Sequence, residues 1–421
     1  YRKYVLAAAS LIFLTLGSLT GLFQALSLLA VNYVLLIFQR GKKRKGSVPL
    51  LCAAVILNGA FLFASRIAGI TTFAGMAFMV CRLISLHADR YKKIVRKCPA
   101  PIEYLCFSAM FITVNAGPLV RYNEVEKGIS HPRVSWRNID RGLRLFTAGL
   151  ALKVLLADKI SFLWTEILSP GASALSVPIA WLGAFVACSQ VYYDFWGYSL
   201  MAFGIGVMTG ISVPENFHDP FASASVSEFY RRWHMTLGRW FKDYVYFPLG
   251  GSRKGMVRTV MNVMAVWCLT ALWHGNSPNY LIWGLMLGTF ICFEKLPFIK
   301  KISKNKIACV ILRILGLLVI AVSMSVFKNE DTDTMLSYLL GLFGMNPAEG
   351  IRTTGQQLLR YIKDYSYVLV SCLLFMTPLP RKLWDRYSGS VLFAVILLPI
   401  FWFSFHQIVL GNAGDFLYMR Y

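Results

Sequence analysis

Stretches of apolar residues long enough to cross a bilayer recur along this chain, and no long hydrophilic domain interrupts them. A membrane-crossing helix needs about 17–25 mainly apolar residues. Candidate runs are residues 19–38, 48–64, 68–85, 102–120, 143–163, 177–191, 198–213, 257–273, 280–292, 307–326, 365–377 and 391–408, with a shorter run at 4–16. Several are too short to cross alone. Spanning segments must satisfy their own backbone hydrogen bonds. The expected architecture is therefore all-α: a polytopic integral membrane protein with about ten transmembrane helices plus shorter re-entrant or interfacial pieces. Composition agrees, with 57% apolar and only 15% charged residues, against about 25% charged in soluble domains. No internal repeat or low-complexity tract divides the chain. The longest polar connections are residues 123–141 and 216–227.

A net charge of +23 would suit a nucleic-acid binder, but its distribution points elsewhere. The basic residues fall between apolar runs, at residues 40–45, 90–97, 231–258, 295–306 and 381–386. Loops rich in Lys and Arg stay on the cytoplasmic side; the helix count keeps the first two clusters on one face and the third with the fourth, while between Lys97 and Arg231 it is ambiguous. Membrane lipid, not nucleic acid, is the expected partner of this charge. Arg133, Arg137, Arg141 and Arg144 form another basic loop whose side the helix count leaves open. Nine cysteines are scattered without CxxC pairs or zinc-like spacing, so neither a disulfide framework nor a metal is expected. The chain starts at Tyr1 without a visible signal peptide; an N-terminal segment is expected to be missing.

Residues 225–248 differ from the spans. Ser225 and Glu228 have capping-box spacing. A helical period then gathers Tyr230, Trp233, His234, Leu237, Trp240, Phe241 and Tyr244 on one face, with Arg231, Arg232, Arg239, Lys242 and Asp243 on the other. Such a helix belongs at the membrane surface or in a shallow re-entrant position. Its aromatic stripe is either an interfacial belt or a pocket lining.

The second distinctive segment is Ala271-Leu272-Trp273-His274-Gly275, set between apolar runs. An ionisable side chain at membrane depth marks a functional site by default, and histidine exchanges a proton near neutral pH. Gly275-Asn-Ser-Pro278 breaks the helix beside it. Irregular backbone at that depth lies inside protein or along a cavity. The competing reading is a histidine at a membrane-surface turn.

These residues resemble the membrane-bound O-acyltransferase family, and within it the bacterial alginate O-acetylation branch. The resemblance is carried by Ser227-Glu-Phe-Tyr-Arg-Arg-Trp-His234-Met-Thr-Leu-Gly-Arg-Trp-Phe-Lys-Asp-Tyr-Val-Tyr-Phe-Pro-Leu-Gly-Gly251, by residues 262–284 with Trp273-His274 and Trp283-Gly284, and by four shorter blocks. Those are Tyr193-Asp-Phe-Trp-Gly-Tyr198, Pro214-Glu-Asn-Phe217, Ala116-Gly-Pro-Leu-Val-Arg121 and Leu155-Leu-Ala-Asp-Lys159. The ending Phe416-Leu-Tyr-Met-Arg-Tyr421 looks like the family's aromatic terminus. The resemblance implies one domain over residues 1–421, lacking the family's first apolar segment. Many members carry a further histidine where this chain has Leu287.

The resemblance implies transfer of an acyl group, acetyl in the first instance, from a thioester such as acetyl coenzyme A to a hydroxyl. No bound cofactor is implied. The acceptor would be an extracellular polysaccharide or the cell wall, reached through an extracellular or periplasmic acetyltransferase partner, with the enzyme multi-pass in a bacterial plasma membrane. His274 would be the general base, a role that suits histidine's pKa, and His234 a second site residue that positions or polarises a substrate. Weaker substrate-binding candidates are Trp273, Trp233, Asn262, Arg231, Arg232 and Lys242. The arginines and lysine would attract donor phosphates or simply hold the loop at the cytoplasmic surface. Asp194 reads as a structural hydrogen-bonding group, His406 as a packing residue, and His87, His131 and His218 as interfacial. Two other functions fit less well: D-alanyl or other acyl transfer from a carrier protein to teichoic acid, and a transporter or channel, for which broken helices are suited but an inverted repeat is lacking.

Overall fold

The computed structural model describes residues 2–39, 44–68, 73, 75–114, 116–329, 331–346 and 353–417. Basic residues 40–43, the aromatic ending at 418–421 and parts of the 68–85 and 102–120 runs lie outside them. The described residues form helices joined by loops, with no strand. Five helices are long and apolar enough to cross a membrane: Leu19–Phe38, Lys45–Ile67, Gly255–His274, Lys306–Lys328 and Val391–Val409. Ser366–Phe375 is a shorter apolar helix.

Eight helices frame the site. They are α1 (Met76–Tyr91), α2 (Trp136–Ala151), α3 (Val177–Thr209), α4 (Val226–Arg232), α5 (Met235–Phe241), α6 (Gly255–His274), α7 (Pro278–Glu294) and α8 (Lys306–Lys328). The runs at 177–191 and 198–213 are one helix, not two. Pro178 sits in the first turn of α3, where its missing N–H costs nothing. Gly210 ends the helix at φ +76°. At 33 residues, α3 rises roughly 50 Å.

Two reciprocal glycine pairs fix α2 against α3. A Cβ on Gly149 would come within 2.5 Å of the Gly197 carbonyl oxygen, and one on Gly204 within 2.6 Å of the Gly142 oxygen. Small residues let membrane helices approach this closely. The 143–163 run is not regular either. Residues Leu152–Ala157 form a π-helical turn, which turns Lys153 inward to 4% exposure. Its ammonium meets Asp158 at 2.6 Å and Asp194 of α3 at 2.9 Å. The C-terminal segment closes this cluster: Lys153 donates to the Asp415 carbonyl at 3.1 Å, and the Leu417 amide donates to Asp194 at 3.1 Å.

The 102–120 run is a short helix, Pro101–Ser108, followed by a 3-10 turn, Phe111–Thr113. The fully buried Arg82 of α1 explains why that break is tolerated. Its guanidinium donates to the carbonyls of Ser108 and Met110 at 3.2 and 3.4 Å and to both oxygens of Thr113. The three carbonyls among these acceptors are ones that a continuous helix would satisfy internally.

Two large apolar cores and a small third, around Leu150, Val154 and Met201, result among the described residues. One large core gathers α3, α6, α7 and α8; the other gathers the N-terminal helices and α1. The 226–241 segment bridges them. Phe229 and Trp233 pack in the first, and Leu237, Trp240 and Phe241 in the second.

Candidate active site

Ser225 caps α4 by accepting from the Glu228 amide at 3.0 Å, and the Glu228 carboxylate reaches back to the Ala224 amide at 2.9 Å. That amide, then Arg232, hold the Glu228 carboxyl below its usual range. The helix does not continue through Tyr244 as its period suggests. It stops at Arg232; Trp233 is extended and His234 adopts φ +44°, ψ +49° before α5 begins at Met235. A left-handed non-glycine residue costs about 1–3 kcal/mol and persists only when its surroundings dictate it. Here residues 216–218 run alongside the kink. The His218 amide donates to the Arg232 carbonyl at 2.9 Å and the Met235 amide to the Asn216 carbonyl at 3.0 Å. The Asn216 side chain contacts His234 Nδ1 at 3.1 Å. His234 still faces inward, as expected, but the kink aims it rather than the helical period.

His274 is the last residue of α6 and is 6% exposed. Aromatic rings surround its imidazole: Trp273 at 4.8 Å, Phe327 at 4.9 Å, Trp283 at 5.2 Å and Tyr280 at 6.1 Å between centroids. The Trp273 ring also lies 6.2 Å from His234, so one indole packs against both imidazoles. Its N–H is tied to the Ala77 carbonyl of α1 at 3.2 Å.

Both histidines line one cavity of about 300 Å³. Its α6 wall is one helical face, Val263, Val266, Trp267, Thr270 and His274, covering roughly 16 Å of helix rise. Arg231, Lys242 and Lys295 line it at the other end, with Ser227. Since α7 runs back along α6, Lys295 stands at the α6 start and Trp283 near His274. The cavity thus grades from a basic mouth to an aromatic floor holding the imidazoles.

Of the residues singled out from sequence, His234, His274, Trp233, Arg231 and Lys242 come together on this cavity. Trp273 lies behind it. Arg232 pairs with Glu228 at 2.7 Å and is not among the lining residues. Asn262 is turned away and donates to the Leu249 and Gly251 carbonyls at 3.3 and 2.8 Å. It secures the Pro248-Leu-Gly-Gly turn instead. His87, expected at the interface, is buried against Gln39 at 3.1 Å. His406, expected to pack, is exposed on its helix. Lys295, Trp283, Met324 and Phe327 line the cavity without having been singled out. Lys295 belongs to a basic cluster and Trp283 to a family-like block, so both carried a signal. Phe327 carried none. No group of three His, Cys, Asp or Glu side chains among the described residues is arranged to hold a metal ion.

A bundle of membrane helices with two buried histidines on a single basic-mouthed cavity defines a narrow class of integral membrane protein. Residues 18–302, which include both histidines, match the membrane-bound O-acyltransferase family, and the chain belongs to that family. It is 35% identical over 262 residues to the probable alginate O-acetylase AlgI of Pseudomonas syringae pv. tomato, covering 61% of this chain and 49% of the relative. A peptidoglycan O-acetyltransferase of Helicobacter pylori is 31% identical over 252 residues, covering 58% and 47%. A teichoic acid D-alanyltransferase of Bacillus subtilis is 26% identical over 303 residues, covering 64% and 76%. The chain spans about half the length of the alginate and peptidoglycan relatives it matches.

Proposed function

We propose that this protein transfers an acyl group, acetyl in the first reading, from a thioester on the cytoplasmic side to a hydroxyl destined for an extracellular polysaccharide or the cell wall. The observation that carries this is the single cavity joining a cationic mouth to two buried imidazoles. Arg231, Lys242 and Lys295 suit the phosphates of a donor such as acetyl coenzyme A. The aromatic floor excludes water, which would otherwise hydrolyse the thioester. His274 takes the acceptor hydroxyl's proton as its oxygen bonds to the thioester carbonyl carbon. The carbon–sulfur bond then breaks, and the thiolate leaves toward the mouth and is protonated there. An acetyltransferase partner outside the membrane passes the group onward to polymer. Family membership and the alginate and peptidoglycan relatives support this reading. The Bacillus relative supports a second reading, acyl transfer from a carrier protein, in which the same basic mouth meets the carrier's phosphopantetheine.

Acetyl-ester content of envelope polysaccharide, measured by mass spectrometry in wild-type and deletion cells, tests the reaction. Loss of esters on deletion is the expected result; unchanged esters would remove the proposal. Reversing charge at the mouth, with Arg231→Glu and Lys242→Glu together, is expected to raise KM for acetyl coenzyme A by at least about tenfold, since hydrogen bonds to charged groups contribute roughly 1.5–3 kcal/mol. The effect on kcat should be small. An unchanged KM would reduce these residues to membrane-surface anchors.

Orientation follows from charge. Single cysteines at Arg253 and Lys304, in a background without native cysteines, should resist an impermeant thiol reagent in intact cells and react after permeabilisation. Ready labelling from outside at both positions would reverse the donor side.

A further inference from the structure

The hydrogen bonds behind His234 settle which of its ring nitrogens carries the proton. The Leu119 amide donates to the Thr236 hydroxyl at 2.8 Å, and that hydroxyl lies 2.8 Å from Asn216 Oδ1. The Thr236 amide points at the same Asn216 atom at 3.3 Å. A backbone N–H can only donate, so the Asn216 atom facing it is the amide oxygen, whichever way the side chain is drawn. The opposite end of the amide agrees, its Nδ2 lying 3.2 Å from Ser199 Oγ on α3. His234 Nδ1 faces that same oxygen at 3.1 Å and must therefore be the N–H. In the neutral imidazole the lone pair is then on Nε2. Nε2 is buried with no hydrogen-bond partner among the described residues, and His234 lines the cavity it shares with His274.

We infer that Asn216 is a positioning residue that holds His234 in the tautomer with Nδ1 protonated and Nε2 open to substrate. Neutral His234 consequently meets substrate only as an acceptor, of a hydrogen bond or of a proton, from an O–H or N–H group. It does not polarise the thioester carbonyl by donation. This refines the role given to His234 from sequence, and it rests on the acyl-transfer reading above. Asn216 also supplies the backbone carbonyl that pins Met235, so one residue sets both the strained kink and the ring's proton. Two family-like blocks with no assigned role support the imidazole, the Asn216 segment directly and the Leu119 segment through Thr236.

The test uses the full chain in lipid nanodiscs, with acetyl coenzyme A as donor and an envelope fraction from deletion cells, which supplies both the acetyltransferase partner and the polysaccharide, as acceptor. Removing a partner that orients a metal-bound histidine costs about 10–100-fold, and a loss on the same scale is expected for this metal-free ring. Asn216→Leu is expected to lower kcat by that factor with KM for acetyl coenzyme A nearly unchanged. Asn216→Asp, which keeps an acceptor oxygen toward His234 and Thr236, should restore most of the loss. Nitrogen-15 NMR of histidine-labelled protein, with His234→Ala to assign the signal, should show a pyrrole-type Nδ1 and a pyridine-type Nε2 for His234. That pattern should be lost in Asn216→Leu. A structural role alone would lower the yield of both variants without moving kcat per folded molecule. The inference is overturned by a protonated Nε2 in the wild type, or by a folded Asn216→Leu enzyme with wild-type kcat. Failure of the broader reading looks different: His274→Gln would then keep full transfer in the same assay.

Discussion

Replacing His274 with glutamine is expected to cut acyl transfer by about 10²–10⁴-fold, the range general-base catalysis supplies. Glutamine fills much of the same aromatic box but cannot take the hydroxyl proton, so expression and membrane insertion should stay near normal. His274→Ala should lose as much activity and some stability, because Trp273, Trp283 and Phe327 would border a void. His234→Ala is expected to lower transfer strongly but less completely. The two imidazoles share a cavity and a wall in Trp273, so their effects should not multiply; residues acting as a unit are non-additive. The double variant should be little worse than His274→Ala alone. Acetyl-ester yield per inserted protein decides the matter, and substantial product from a well-inserted His274→Gln enzyme would end the assignment.

The second large effect concerns stability. Lys153, Asp158 and Asp194 have side chains 4%, 5% and 2% exposed. Removing one partner of a buried pair costs about 3–5 kcal/mol, because the charge left behind has no compensation. Lys153→Met would leave two carboxylates facing each other. It is expected to lower the thermal midpoint in detergent markedly and to reduce the yield of inserted protein. Adding Asp158→Asn and Asp194→Asn should restore much of the loss, since the asparagine oxygen can still accept from the Leu417 amide. Fluorescence-detected size-exclusion after heating is the measurement. A Lys153→Met protein as stable as the wild type would show that this cluster contributes little.

The legibility of the sequence varied from residue to residue for physical reasons. His274 stood out because an ionisable group in apolar sequence is conspicuous on its own, and Gly275 and Pro278 marked the break beside it. The mouth was half legible: Arg231 and Lys242 sit on the polar face of a periodic segment, whereas Lys295 becomes part of it only once α7 folds back. The kink at His234 was hidden. Neither glycine nor proline announces it, and the local period runs on unbroken. Its causes are Asn216, in another loop, and Leu119, 117 residues from its hydrogen-bond partner Thr236. Lys153 was buried in an apolar run for a similar reason: apart from the nearby Asp158, its partners come from α3 and from the chain's last described residues. Run lengths alone could not separate a single helix from two in α3, because Asp194 and Gly197 interrupt the apolar run without breaking the helix.

The cluster around Lys153 also imposes an order on biogenesis. The ribosome reaches residues 414–417 after every helix described above has been made. Lys153, Asp158 and Asp194 are therefore committed to the membrane before the segment that seats against them exists. Until then Asp194 lacks the Leu417 amide, and Lys153 lacks the Asp415 carbonyl. In hydrocarbon such groups draw in water or alternative partners. Final seating of the Lys153 turn against α3 is thus expected to follow insertion, although the glycine contacts of α2 and α3 can form earlier. A chain cut before residue 414 would leave Asp194 without the Leu417 amide and Lys153 without the Asp415 carbonyl inside the bundle, and is expected to accumulate in lower yield.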